Sequence, residues 1–203
     1  IPTSYRFILN LYKLLKNLRM YSNFFELIAL SAIQGISEFL PVSSSAHLIL
    51  INDISNLQIG SIYLDTGMHL GSLLAVIIYF RNDLKKITKS KKLLYLMIFG
   101  SLPTIFLGAI LYITGLINLL RSIEIIAWTT LVFAVLLWIA DKFKVDKKID
   151  SNLNVKSIFF IGLFQMLSLI PGVSRSGIVI TAGRFLNFDR FDSTKISFYL
   201  SIP

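Results

Sequence analysis

The chain has no cysteine among its 203 residues. That excludes a disulfide framework and any thiolate metal site. Its two histidines, His47 and His69, are too few for a histidine-rich metal cluster. Charge is scarce as well: 15% of residues are charged, where a soluble domain carries about 25%. Acidic residues are fewest, 11 against 20 basic, for a net charge of +9. That balance alone would suit nucleic acid, but no basic stretch interleaves with aromatics as a nucleic-acid-binding face requires. The basic, amphipathic residues 1–19 lack an uninterrupted apolar region and a small-residue cleavage site, so no cleavable signal peptide is expected.

What the chain has instead is apolar residues, 55% of the total. Its charges gather in short connections and leave long stretches nearly free of them, the pattern of an all-helical, polytopic membrane protein. The clearest spans are Leu64–Phe80, Leu93–Leu116 and Ile123–Ala140. Each carries at most one formal charge and is long enough for ~30 Å of hydrocarbon. Pro103, with Gly100 and Gly108 nearby, predicts a kinked helix packed closely on a neighbour.

Two further apolar stretches break in the middle. Leu27–Ile51 is interrupted at Pro41-Val42-Ser43-Ser44-Ser45, and Gly162–Leu186 at Pro171-Gly172-Val173-Ser174-Arg175-Ser176-Gly177. Proline removes a backbone donor and clashes with the preceding turn. Serine then offers an N-cap for a new helix. Each stretch therefore reads as helix, break, helix, with halves short enough to suit a re-entrant segment. Gln34 precedes Pro41 much as Gln165 precedes Pro171. Similar broken helices in two halves of a membrane protein predict an inverted repeat with its binding site between them.

Basic residues set the expected orientation. Six lie between Arg81 and Lys92 and five between Lys142 and Lys156, which puts both connections in the cytoplasm. Leu93–Leu116 and Ile123–Ala140 then form an out-and-back hairpin. The two broken stretches enter from opposite sides and meet in the membrane interior. Arg6, Lys13, Lys16 and Arg19 pull the other way. Residues 1–19 read as an N-terminal extension, with Met20 as a natural start. Residues 20–203 read as one membrane domain, expected to continue past Pro203.

Ionisable groups within membrane segments are costly and mark function by default. Ser174-Arg175-Ser176-Gly177 opens a helix whose free N–H groups and positive dipole end form an anion site. Arg175 adds a planar fork suited to phosphate oxygens. Gly172 and Gly177 allow a tight turn and the close approach of a ligand. At the first break, Ser43, Ser44 and Ser45 cap a second helix, with His47 in its first turn. His47 is positioned to exchange a proton with a serine hydroxyl or water, or else to bond a nearby carbonyl. Glu38, one turn from Gln34 on the same helix face, suits a divalent cation, a general base, or a charge partner for Arg175. His69 reads as structural, and Asp141, Asp146 and Asp150 as a solvated loop.

The stretch Gln34-Gly-Ile-Ser-Glu38-Phe-Leu-Pro-Val-Ser-Ser44-Ser-Ala-His47 closely resembles the first motif of the undecaprenyl-diphosphate phosphatase family, the bacitracin-resistance phosphatases. Pro171-Gly-Val-Ser-Arg175-Ser-Gly177 resembles its second motif. Gly71-Ser-Leu-Leu-Ala-Val and Phe80-Arg81 are also similar to the family. The resemblance implies a hydrolase of the cell (inner or plasma) membrane that converts undecaprenyl diphosphate to the monophosphate. That recycles a carrier lipid for peptidoglycan synthesis and bears on bacitracin resistance. It implies Glu38, Ser44, His47 and Arg175 as the catalytic set. Ser43, Ser174 and Ser176, with Gly172 and Gly177, would be substrate contacts. It also implies a divalent cation, Ca²⁺ or Mg²⁺, at Glu38 with Gln34 nearby. Gln34 stands where many members have glutamate, and Val179 where a threonine often follows. The expected partners are a polyprenyl diphosphate lipid and membrane lipids, with a homodimer as one assembly state and no nucleic acid. The other function classes are a polyprenyl-phosphate transporter or flippase without hydrolysis, and a membrane phosphatase of the acid-phosphatase-like type.

Overall fold

The computed structural model describes residues 24–55, 62–116, 120 and 122–202. The expected extension over residues 1–19 and the start at Met20 lie outside them. The described residues are helical: α1 over residues 24–39, α2 Ser44–Ser55, α3 Ile62–Tyr79, α4 Arg81–Lys89, α5 Lys91–Thr114 and α6 Ile123–Ala140. After these come the single turn α7 Ile149–Asn152, then α8 Val155–Met166 with a 3-10 turn Leu167–Leu169, α9 Arg175–Phe185 and α10 Arg190–Leu200. The β structure among the described residues is one isolated bridge, Lys147 with Phe188.

Caps explain several boundaries. Ser90 ends α4 and caps α5, its hydroxyl accepting from the Leu93 amide, and Ser122 does the same for Ile125 at the start of α6. Asn154 and Ser157 form a reciprocal capping box on α8. Gly115 stops α5 in the left-handed region at φ 71°.

α5 and α6 are long and apolar enough to cross a membrane, and only 22% and 11% of those spans are buried in the protein. Ile105, Phe106 and Ile113 on α5, and Trp128, Leu131 and Trp138 on α6, face outward. Apolar faces this extensive need a covering, and hydrocarbon supplies one. The third expected span, Leu64–Phe80, falls on α3, whose stretch Thr66–Tyr79 is apolar.

The core lies where α5, α8, α9 and α10 meet, around Leu96, Ile158, Ile161, Ile178 and Ile196. α5 crosses α8 at a pair of glycines, where a Cβ on Gly162 would collide with the Gly100 carbonyl. That contact is the reason α8 sits so close to α5.

Charged connections gather at one end. Arg184, at the end of α9, donates to the carbonyls of Asp141, Phe143 and Phe188. Arg190 binds the Asp141 carboxylate through two nitrogens at 2.8 and 2.5 Å. Asp192 accepts from the Ile149 amide at 3.0 Å, Lys148 pairs with Asp189, and Lys195 reaches Asp83 on α4 at 3.5 Å. Both basic connections therefore converge on the start of α10. Asp141, read from the sequence as part of a solvated loop, is instead the acceptor that ties α6 to α9 and α10. Its partners lie more than forty residues away, so local sequence carried no sign of them.

Candidate active site

Both breaks use the same serine device. At the first, buried Ser43 accepts from the Ala46 amide at 3.3 Å and lies 3.1 Å from the Ser45 hydroxyl. At the second, Ser174 accepts from the Gly177 amide at 3.2 Å and lies 3.1 Å from the Ser176 hydroxyl. In each case a serine hydroxyl satisfies an amide that the new helix leaves without an internal acceptor. Ser44 and Arg175 are the residues immediately after the two caps.

The second break is braced from α6. Thr129 donates to the Pro171 carbonyl at 2.7 Å and Thr130 to the Gly172 carbonyl at 3.2 Å. Gly172 takes φ 93°, a conformation that side-chain-bearing residues rarely adopt, and a Cβ there would lie 2.7 Å from the Ile126 carbonyl. The two breaks then touch directly. Ser176 donates to the Leu40 carbonyl at 3.1 Å, capping the end of α1. A Cβ on Gly177 would come within 3.3 Å of the Pro41 carbonyl, so glycine lets the backbones approach.

This contact opens a cavity of about 550 Å³, lined by both serine runs together with Glu38, His69 and Arg175. Arg175 donates to Glu38 Oε1 at 2.8 Å, across 137 residues of sequence. Glu38 Oε2 accepts from Ser44 at 2.8 Å and from the Gln34 amide at 3.0 Å. Gln34 Nε2 also lies 2.9 Å from His69 Nδ1. A carboxylate hydrogen-bonded to a serine hydroxyl, and itself oriented by a guanidinium and an amide, is a nucleophile–base arrangement. The starts of α2 and α9 add two sets of helix N-terminal amides beside it.

Of the residues singled out from sequence, Glu38, Ser43, Ser44, Arg175, Ser174 and Ser176 all line this cavity. Gly172 and Gly177 shape the break behind it. His47 does not line it: the ring is exposed, and its Nδ1 donates to the Ser43 carbonyl at 2.6 Å. His69, read from sequence as structural, lines the cavity instead and stands 3.5 Å from Glu38. Thr129 and Thr130 also escaped sequence reading. The available signal was a pair of hydroxyls in an otherwise apolar span.

A divalent cation has limited protein donors here. Both Glu38 oxygens already accept hydrogen bonds, while Gln34 Oε1 is buried with no partner. Among the described residues no three His, Cys, Asp or Glu side chains stand together as a metal cluster. This donor set suits a cation shared with substrate phosphates rather than an all-protein cage.

Comparison with known proteins supplies the context for this geometry. The family model described as "Bacitracin resistance protein BacA" matches residues 27–203, which include both breaks and everything between them. The undecaprenyl-diphosphatase of Pelagibacter ubique (strain HTCC1062) is 56% identical over 185 residues, covering 91% of this chain and 72% of that protein. The undecaprenyl-diphosphatase of Ruegeria sp. (strain TM1040) is 41% identical over 191 residues, covering 88% of this chain and 72% of that protein. That of Teredinibacter turnerae (strain ATCC 39867 / T7901) is 43% identical over 190 residues, covering 87% and 71%. With both serine-capped breaks inside the matched region and identity this high over most of its length, the chain belongs to the bacitracin resistance protein BacA family.

Proposed function

We propose that this chain hydrolyses undecaprenyl diphosphate to undecaprenyl monophosphate and inorganic phosphate. The observation that carries the reading is the Arg175–Glu38–Ser44 chain of hydrogen bonds in a cavity flanked by two helix N-termini. A diphosphate concentrates negative charge, and Arg175 with the α2 and α9 amides offsets it within an apolar surround. Glu38 takes the proton of the attacking hydroxyl, supplied by Ser44 or by a water beside it. The bond from the terminal phosphorus to the bridging oxygen breaks, and the monophosphate leaves with that oxygen. Where Ser44 is the attacking group, the phosphoryl group passes to its oxygen, and a water then hydrolyses that phosphoserine, releasing inorganic phosphate and restoring the hydroxyl. A divalent cation, Ca²⁺ or Mg²⁺, would be held by Gln34 and Glu38 jointly with the diphosphate and would neutralise phosphate charge. His47 braces the first break through the Ser43 carbonyl. The proton-transfer role expected of it requires its ring to turn inward.

In this reading the protein is a multi-pass protein of the cell membrane, with lipid against the outward faces of α5 and α6. The basic end is cytoplasmic. The α8–α9 unit is re-entrant, since α8 starts just after the 141–154 connection and the last turn of α9 carries Arg184, bound to that same connection. The matched capping at Ser43 and Ser174 supports an inverted repeat of broken helices around one site.

Purified protein incubated with undecaprenyl diphosphate should release inorganic phosphate and the monophosphate lipid in equal amounts. Lipid crossing a proteoliposome bilayer with its diphosphate intact, and no phosphate release, would instead favour a transporter.

A further inference from the structure

We propose that His69 is a substrate-contacting residue that donates its Nε2–H to a phosphate oxygen, with Gln34 holding the ring in place. The inference rests on the diphosphatase reading of this site. It begins with the Gln34 side chain, which is 1% exposed. The Gln34 atom that lies 3.0 Å from Glu38 Oε2 must be the amide nitrogen, because a carboxylate only accepts. That nitrogen's second hydrogen points to His69 Nδ1 at 2.9 Å. Nδ1 therefore accepts, and the ring proton of the neutral imidazole sits on Nε2.

The other histidine has the opposite tautomer. His47 Nδ1 faces the Ser43 carbonyl at 2.6 Å, and a carbonyl only accepts, so the His47 proton sits on Nδ1. Its free nitrogen is an acceptor, which an anion would not contact favourably. Of the two histidines, it is His69 that presents a donor to the cavity. Its side chain is 45% exposed, and it lines the same void as Ser44, Ser174 and Arg175. With Nδ1 turned to the buried glutamine, Nε2 is the nitrogen left for a ligand. Glu38, through Gln34, thus sets the tautomer of a residue on a different helix.

The test uses full-length purified protein in detergent, with kcat and KM for phosphate release from undecaprenyl diphosphate. His69→Ala should raise KM about 10–100-fold while kcat changes little, the mark of a contact made in ground and transition states alike. His69→Gln, whose amide nitrogen reaches roughly to the Nε2 position, should restore most of the loss. His69→Asn, whose amide nitrogen reaches only to the Nδ1 position, should not. If the alanine variant fails to fold, the glutamine–asparagine pair carries the test, because both keep a polar side chain of similar character. A wild-type KM in His69→Ala, or equal rescue by asparagine and glutamine, would overturn the proposal. An inactive wild-type protein would overturn the diphosphatase reading beneath it.

Discussion

At the first break Ser43 caps α2, and at the second Ser174 caps α9, with the same span to the capped amide and the same 3.1 Å hydroxyl pair. Their surroundings differ sharply. Around the second break, Val173, Ile178 and Val179 are buried in the core, and α6 hydroxyls hold its carbonyls. Around the first, Phe39, Leu40 and Val42 are 43%, 49% and 40% exposed. Their charges differ too, since one contributes Glu38 and the other Arg175. The comparison teaches that one backbone device, used twice, builds a rigid cationic half and a more open acidic half. The Glu38–Arg175 pair and the Ser176–Leu40 bond join them.

The largest effect should come from the pair that joins the halves. Glu38→Gln keeps the shape but removes the base, and should lower turnover by roughly 10²–10⁴-fold. Arg175→Lys keeps the charge but not the planar fork, and should cost on the order of 10²–10³-fold in turnover. Both comparisons require melting temperatures close to wild type, so that chemistry is measured rather than folding.

Next is the backbone of the rigid half. Gly172→Ala should destabilise the protein by about 1–3 kcal/mol from the left-handed conformation, with steric conflict against Ile126 and Thr129 in addition. The first break has no positive-φ residue, so Val42→Ala should change the melting temperature far less. Equal shifts in the two variants would remove the distinction between a rigid and an open half.

The caps should give smaller and more even effects. Ser43→Ala and Ser174→Ala should each cost about 1 kcal/mol. Chemical denaturation of both variants is the check. Unequal losses would mean that the shared hydrogen-bond pattern hides different energetics.

How much of this was legible in the sequence follows from the same contrast. Both breaks could be read, because proline and serine act on the backbone within a few residues. The meeting of Glu38 with Arg175 could be anticipated, since charges in apolar stretches need partners. His69 could not. Its flanking Gly67 and Gly71 suggest close packing, and only the three-dimensional position of Gln34 reveals a role. Thr129 and Asp141 escaped for the same reason, since their acceptors and donors lie forty or more residues away. Local chemistry shows where a helix breaks, whereas long-range pairing decides what the break is for.

The smallest effect lies at the charged end, away from the site. The Arg190 hydrogen bond, reinforced by the charges of Arg190 and Arg184, holds the Asp141 carboxyl below its ordinary value of 3.8 despite some burial. A lowered carboxyl value contributes stability that is complete above the unfolded-state value and fades as pH falls through the folded one. Asp141→Asn should therefore melt slightly below wild type near pH 7, and the gap should narrow below about pH 4. A gap that widens on acidification would contradict this assignment.

The central claim is that the two breaks form one catalytic unit, and a double-mutant cycle on phosphate release tests it most directly. Turnover would be measured for wild type, Glu38→Gln, Arg175→Lys and the double variant, all with undecaprenyl diphosphate. If Glu38 and Arg175 act together, the double variant should be little slower than the slower single variant. Losses that simply multiply, as for independent sites, would contradict the account.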